Sequence, residues 1–138
     1  AVLNLFTSFG YFENTEDDQK VFQSISNILR ENGFFVLDFL NENWVQSTLI
    51  PESVVTKSGI DFHISKRIEN LNIIKDIRFE DKGEKYHFFE KVKLHTLDEI
   101  ADYGEKFGFE RVKIFGDYHL SDFDLEHSPR CINVFRKK

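Results

Sequence analysis

The chain has 138 residues, one domain's worth and enough to enclose an apolar core. Its net charge is −6, and its longest basic run is the terminal Arg136-Lys137-Lys138. That argues against a nucleic-acid surface, which must neutralise phosphates. Cys131 has no second cysteine to form a disulfide or a paired metal site.

In chain order, Ala1 to Phe6 is a short apolar run, closed by Thr7-Ser8-Phe9-Gly10-Tyr11-Phe12. A helix is predicted over about Thr15 to Asn32, with Thr15 as N-cap and Asp18 at the reciprocal position of a capping box. Val21, Phe22, Ile25, Ile28 and Leu29 form its apolar stripe. Gly33 is expected to supply the left-handed residue after the last turn. Phe34 to Asn41 is a second, near-continuous apolar run. Strand, helix, strand, with both strands apolar on both faces, predicts a parallel βαβ unit buried between layers.

Between Ser53 and His95 the apolar period changes to two, with turn signals at Lys57-Ser58-Gly59, Asn70-Leu71-Asn72 and Asp81-Lys82-Gly83. This predicts an antiparallel meander of three or four strands. Its polar face, carrying Asp61, His63, Arg67, Arg78, His87 and His95, is either open to water or the roof of a ligand site. Thr96 and Glu99 sign a second helix, which Gly108 ends. Strands are expected again near 110–118 and 130–137, joined by the acidic loop Ser121 to His127. The expected fold is therefore one α/β domain over residues 1–138, with the antiparallel meander inserted at 53–95. The apolar runs, broken at Asn4 and Asp38, are far too short to cross a membrane, and Ala1 is not preceded by the basic region of a signal peptide. A cytoplasmic protein without membrane or nucleic-acid partners is the expectation.

Motifs for known chemistries are few. No two of the seven glycines have Gly-x-Gly spacing, the acidic loop lacks an EF-hand's glycine and closing Glu, and the five histidines lack ligand spacing. The stretch Phe6 to Phe12 differs. In a parallel βαβ unit ligands sit outside the carboxyl ends of the strands. Gly10 lets the chain turn there, with the hydroxyls of Thr7 and Ser8 and the rings of Tyr11 and Phe12 nearby. Those rings either cap the core or line a crevice, across which Asp38 and Asn41 place a carboxylate and an amide.

The succession "VLNLFTSFGYF", helix, "ILRENGFFVLDFLN" resembles the second half of class I S-adenosylmethionine-dependent methyltransferases, closest in flavour to small-molecule and amino-sugar N-methyltransferases. Arg30-Glu31-Asn32-Gly33 departs slightly from their turn, with Asn32 where a first glycine is usual. The closing Ser128 to Lys137 resembles their last, antiparallel strand. The resemblance implies a partial Rossmann-like sheet with strands near 1–6, 34–40, 110–118 and 130–137. It also implies that the chain starts where the fourth strand starts, without the glycine-rich cofactor loop, so that S-adenosylmethionine is expected to bind the intact protein and not this fragment. It implies Phe6, Thr7 and Ser8 beside the cofactor's methionine end, Tyr11 orienting a small-molecule acceptor, and Asp38, Asn41 and Trp44 lining its pocket. His63 or His95 would accept the proton. The bared edge of the first strand predicts a homodimer, with or without exchanged elements. The alternatives are a non-catalytic interaction module and a small-ligand-binding α+β domain.

Overall fold

A computed structural model describes all 138 residues. Two four-stranded sheets are present. The first is ordered β1 (Val2–Asn4), β2 (Phe34–Leu40), β8 (Arg130–Lys137), β7 (Phe109–Phe115). β1 pairs parallel with β2, with Leu3 opposite Val36, and β8 runs antiparallel to both β2 and β7. Three strands thus point one way and the last one back, as the resemblance implied. The second sheet is the meander β3 (Glu52–Lys57), β4 (Ile60–Glu69), β5 (Asn72–Asp81), β6 (Glu84–Lys93). Its hairpins turn at Ser58-Gly59, Asn70-Leu71 and Lys82-Gly83, each pair at positive φ. Such two-residue turns match the twist of antiparallel strands.

The core lies on one face of the first sheet. Phe35, Leu37 and Phe39 of β2, Phe109 of β7 and Phe135 of β8 pack beneath Phe22, Ile25 and Leu29 of α1 (Thr15–Ile28) and Ile100 and Tyr103 of α3 (Leu97–Lys106). Phe22 meets Phe9, Phe35, Tyr103 and Phe135 edge-on, the offset geometry that aromatic rings prefer. The opposite face is not covered to the same degree: Leu3 and Phe34 are exposed and Val36 is half-buried. The expectation of a sheet buried on both faces therefore holds in full for one face and in part for the other, where the paired Asp38 and Ile132 are buried.

Four local expectations are corrected. The N-cap of α1 is Asn14, not Thr15, and no side chain caps the helix. Asp18 does not reach back to a cap, because its carboxylate is held by Lys93, 75 residues away in sequence. The helix ends at Ile28, well before Asn32. The Lys137 ammonium caps the carbonyls of Ser26 and Leu29, and the Asn32 N–H donates to the Lys137 carbonyl at 2.9 Å, drawing the chain onto β8. Asn32, at φ 60°, takes the left-handed position. Gly33 is required for closeness instead, since a Cβ there would lie 2.8 Å from the Arg30 carbonyl oxygen. The second helix behaves as its sequence reads, with both halves of the Thr96–Glu99 capping box formed.

Candidate functional site

The strands β1 and β2 end side by side, and the segments leaving their carboxyl ends build two walls of a cavity of about 500 Å³. After β1 the chain turns through Phe6 and Thr7, both at φ 58°. Two adjacent non-glycine residues in the left-handed region are strained and persist only where surroundings hold them. Asp38 on β2 does so. Its Oδ2 accepts from the Phe6 N–H and the Tyr118 hydroxyl, both at 2.8 Å, and its Oδ1 accepts from Nε and Nη2 of Arg130 at 2.9 and 2.7 Å. Arg130 Nη2 also donates to the Thr7 hydroxyl at 2.8 Å. Asp38 is fully buried, and this set of charge-assisted bonds answers its burial. Burial, and then the bond to Asp38, raise the Tyr118 phenol above its ordinary pKa, which keeps it a donor.

The second wall is the short helix α2 (Glu42–Thr48), directly after β2. Asn41 caps it by accepting from the Asn43 N–H, and its amide donates to the carbonyls of Leu125 and Ser128 at 2.8 Å each. That places Trp44, with Leu40, along the cavity. The third wall is the meander. Residues opposite one another across β4, β5 and β6 share a face, giving the rows Ile64–Ile77–Phe88, Lys66–Lys75–Glu90 and Ile68–Ile73–Val92. Lys66, Lys75 and Glu90, with Ile73 and Val92, face the cavity. Further out, the rings of Phe62, Phe79, Tyr86 and Phe88 cluster on the same face, with Phe88 55% exposed.

Thr7, Tyr11 and Trp44 thus line one cavity, together with Arg130. Asp38 and Asn41 lie beneath it with their polar atoms engaged, so they position neighbours and present no free group to a ligand. Phe6 is 75% exposed, its ring 6.0 Å from that of Tyr118. The Ser8 hydroxyl bonds to Asn4 Oδ1 (2.6 Å) and to the Leu5 carbonyl.

Neither histidine is on the cavity. His63 has the opposite parity on β4, in register with Arg78, and lies on the polar face of the meander around a separate concavity of about 520 Å³. That concavity is remote from the strand tips, where ligands of open α/β sheets sit. His95 is not on the meander's polar face, as the sequence suggested, but buried at 2% exposure against Phe9, Phe39 and Tyr103. The void beside it, about 10 Å³, is at the lower limit for one water molecule. Its Nε2 lies 3.3 Å from Asp18 Oδ2 without the alignment of a hydrogen bond, and burial lowers its pKa against the pull of Asp18. This junction also seats the loop that carries Tyr11. The Lys93 N–H donates to the Gly10 carbonyl at 2.8 Å, and Gly10, at φ 92°, has room for no Cβ, which would lie 2.8 Å from the Lys93 carbonyl oxygen.

Sequence reasoning missed Arg130, Lys66 and Lys75. Arg130 meets Asp38 across 92 residues, and no local pattern announces that. The lysines did leave a signal: both interrupt the apolar parity of their strands, between Ile64 and Ile68 and between Ile73 and Ile77.

No protein-family model and no curated protein matches the chain. Solved structures do. An S-adenosylmethionine-dependent methyltransferase from Clostridium acetobutylicum aligns with a TM-score of 0.81 at 15% identity, over 98% of this chain and 56% of that one. The CcbJ methyltransferase from Streptomyces caelestis aligns at 0.82 and 15% identity, over 99% and 60%. CalS10, an amino pentose methyltransferase from Micromonospora echinaspora solved with S-adenosylmethionine bound, aligns at 0.70 and 15% identity, over 99% and 57%. The fold is therefore shared with S-adenosylmethionine-dependent methyltransferases, the sugar N-methyltransferase KedS8 from Streptoalloteichus (TM-score 0.71, 15% identity) among them, and the chain spans a little over half the length of these structures.

Proposed function

We propose that these residues form the acceptor-binding half of a methyltransferase that moves a methyl group from S-adenosylmethionine to a nucleophile on a small molecule. The observation that carries this reading is the cavity itself. It opens at the carboxyl ends of two parallel strands, between Thr7, Tyr11 and Trp44. Bound S-adenosylmethionine would supply an electrophilic methyl carbon. Thr7 and Ser8 would flank its methionine end, as the resemblance implies; the Phe6 N–H is already committed to Asp38. No Gly-x-Gly loop lies in these 138 residues, so most cofactor contacts belong to another part of the protein.

An in-line displacement needs little beyond placement of the two reacting atoms, and that placement lowers the barrier greatly. Here Arg130 fixes Thr7 and, through Asp38, the turn at Phe6. The Gly10–Lys93 contact fixes the loop bearing Tyr11, whose phenol orients the acceptor. Neither His63 nor His95 lines the cavity, so neither takes the acceptor's proton there. Copies of the chain would associate through the edge of β1 not paired with β2. Sedimentation at high concentration should show a dimer, and a strict monomer would remove that part of the proposal.

The test is calorimetry and isotope transfer with both this chain and the full-length protein. The full-length protein should bind S-adenosylmethionine and pass labelled methyl to an amine or hydroxyl in an acceptor panel. The 138-residue chain should bind the cofactor weakly or not at all. A full-length protein that binds a small molecule of the panel but never methylates it would favour the small-ligand-binding alternative.

A further inference from the structure

Resting on that reading for the identity of the cavity, we infer that the acceptor carries an anionic group, a carboxylate or a phosphate, seated by Lys66. The cavity wall holds three cations, Lys66, Lys75 and Arg130, and one carboxylate, Glu90. This surplus stands out in a chain whose net charge is −6. Two of the cations are already answered. Arg130 is engaged by Asp38 at 2.7 Å, and Lys75 Nζ lies 3.6 Å from Glu90.

Lys66 has no carboxylate partner. It stands directly opposite Lys75 across the β4–β5 ladder, where like charges repel and destabilise the sheet. Either lysine could have been placed on the wet face by a change of parity; instead both interrupt an apolar row on the cavity side. The Lys66 N–H donates to the Pro51 carbonyl at 2.8 Å, which fixes this part of β4 beside the segment leaving α2. A cation in a cleft with apolar walls exerts a stronger field than one in open water. An anion at the Lys66 ammonium would offset the repulsion that Lys66 feels from Lys75. The apolar body of the acceptor would then lie on Trp44 and Ile73, with its nucleophile toward Thr7 and Tyr11.

The chain contains one tryptophan, Trp44, and it lines the cavity. Its emission therefore reports binding without cofactor or turnover. The probes are phenyl phosphate, benzoate and the neutral benzyl alcohol, titrated into this chain at low salt. Both anions should bind more tightly than the alcohol. Lys66→Gln should weaken the anions about tenfold, the scale of one hydrogen bond to a charged group, and leave the alcohol unchanged. The salt-dependent part of anion binding should shrink with it. Circular dichroism establishes that the variant is folded, and Lys57→Gln, remote on β3, should change nothing. A preference for phenyl phosphate over benzoate assigns a phosphate, and the reverse assigns a carboxylate. Equal binding of all three probes, no binding of any, or anion binding indifferent to Lys66→Gln overturns the inference. Anion binding through Lys66 in a protein that transfers no methyl group would leave this site standing and defeat the proposed reaction instead.

Discussion

Asp38 on β2 and Asp18 on α1 are both fully buried, and the two places where they lie are built differently. At the strand tips, both oxygens of Asp38 accept bonds, from Arg130, Tyr118 and the Phe6 N–H. At the junction of α1 with the end of β6, only Oδ2 of Asp18 is used, by Lys93 at 2.6 Å, while Oδ1 and the nearby His95 Nε2 have no partner. A satisfied buried network rigidifies what it touches, and a half-satisfied one is easily perturbed. The strand tips hold two strained residues in place. The junction supports that arrangement from behind, through Gly10, and its buried imidazole makes it sensitive to acid.

The contrast can be broken first at its strong end. Asp38→Asn or Arg130→Met should each destabilise the fold by about 3–5 kcal/mol, because one charge is then buried without its counter-ion. The double variant should cost less than the sum of the two. Denaturant melts would show this, and strict additivity would mean that the pair is not coupled. At the junction, Asp18→Asn should cost less, about 1–2 kcal/mol, since one oxygen had no partner to lose and Lys93, 19% exposed, can turn toward water. A larger loss there than at Asp38 would invert the comparison.

The smallest effect is with pH. Burial holds the His95 pKa below its ordinary 6.5, so below that value the unfolded chain takes up a proton that the folded chain resists. Stability from this source is full above about 6.5 and declines as the pH falls below it toward the folded value. Unfolding midpoints should therefore drop between pH 7.5 and 5.5, and His95→Gln should flatten that slope. An unchanged slope would place the acid sensitivity elsewhere.

The range of the forces involved decides how much of the molecule is legible in its sequence. Apolar runs such as Phe34 to Leu40 and the alternation through Ile60 to Val92 report burial directly, so the strands, the parallel pairing of β1 with β2 and the meander were legible. So was the Thr96–Glu99 cap, which is closed within four residues. The helix α2 was not, because seven residues held by one Asn41 cap show no apolar period. Asp18 looked like a cap because the residue that takes its carboxylate lies 75 positions away. His95 ended an alternating run and so seemed to share the polar face of the meander, whereas the chain leaves the sheet at Lys93 and carries the ring inward. Of the site, the residues adjacent in sequence at the end of β1 were visible. Arg130, which ties them to Asp38, depends on contacts spanning 92 and 123 residues.

Turnover of the full-length protein on an accepted substrate, compared between Tyr11→Phe and His63→Ala, separates the cavity at the strand tips from the far face of the meander. Tyr11→Phe should lower turnover by about tenfold, the value of one positioning hydrogen bond, without loss of folding, and His63→Ala should leave it as it was. Full activity in Tyr11→Phe together with its loss in folded His63→Ala would put the chemistry on the other side of the sheet.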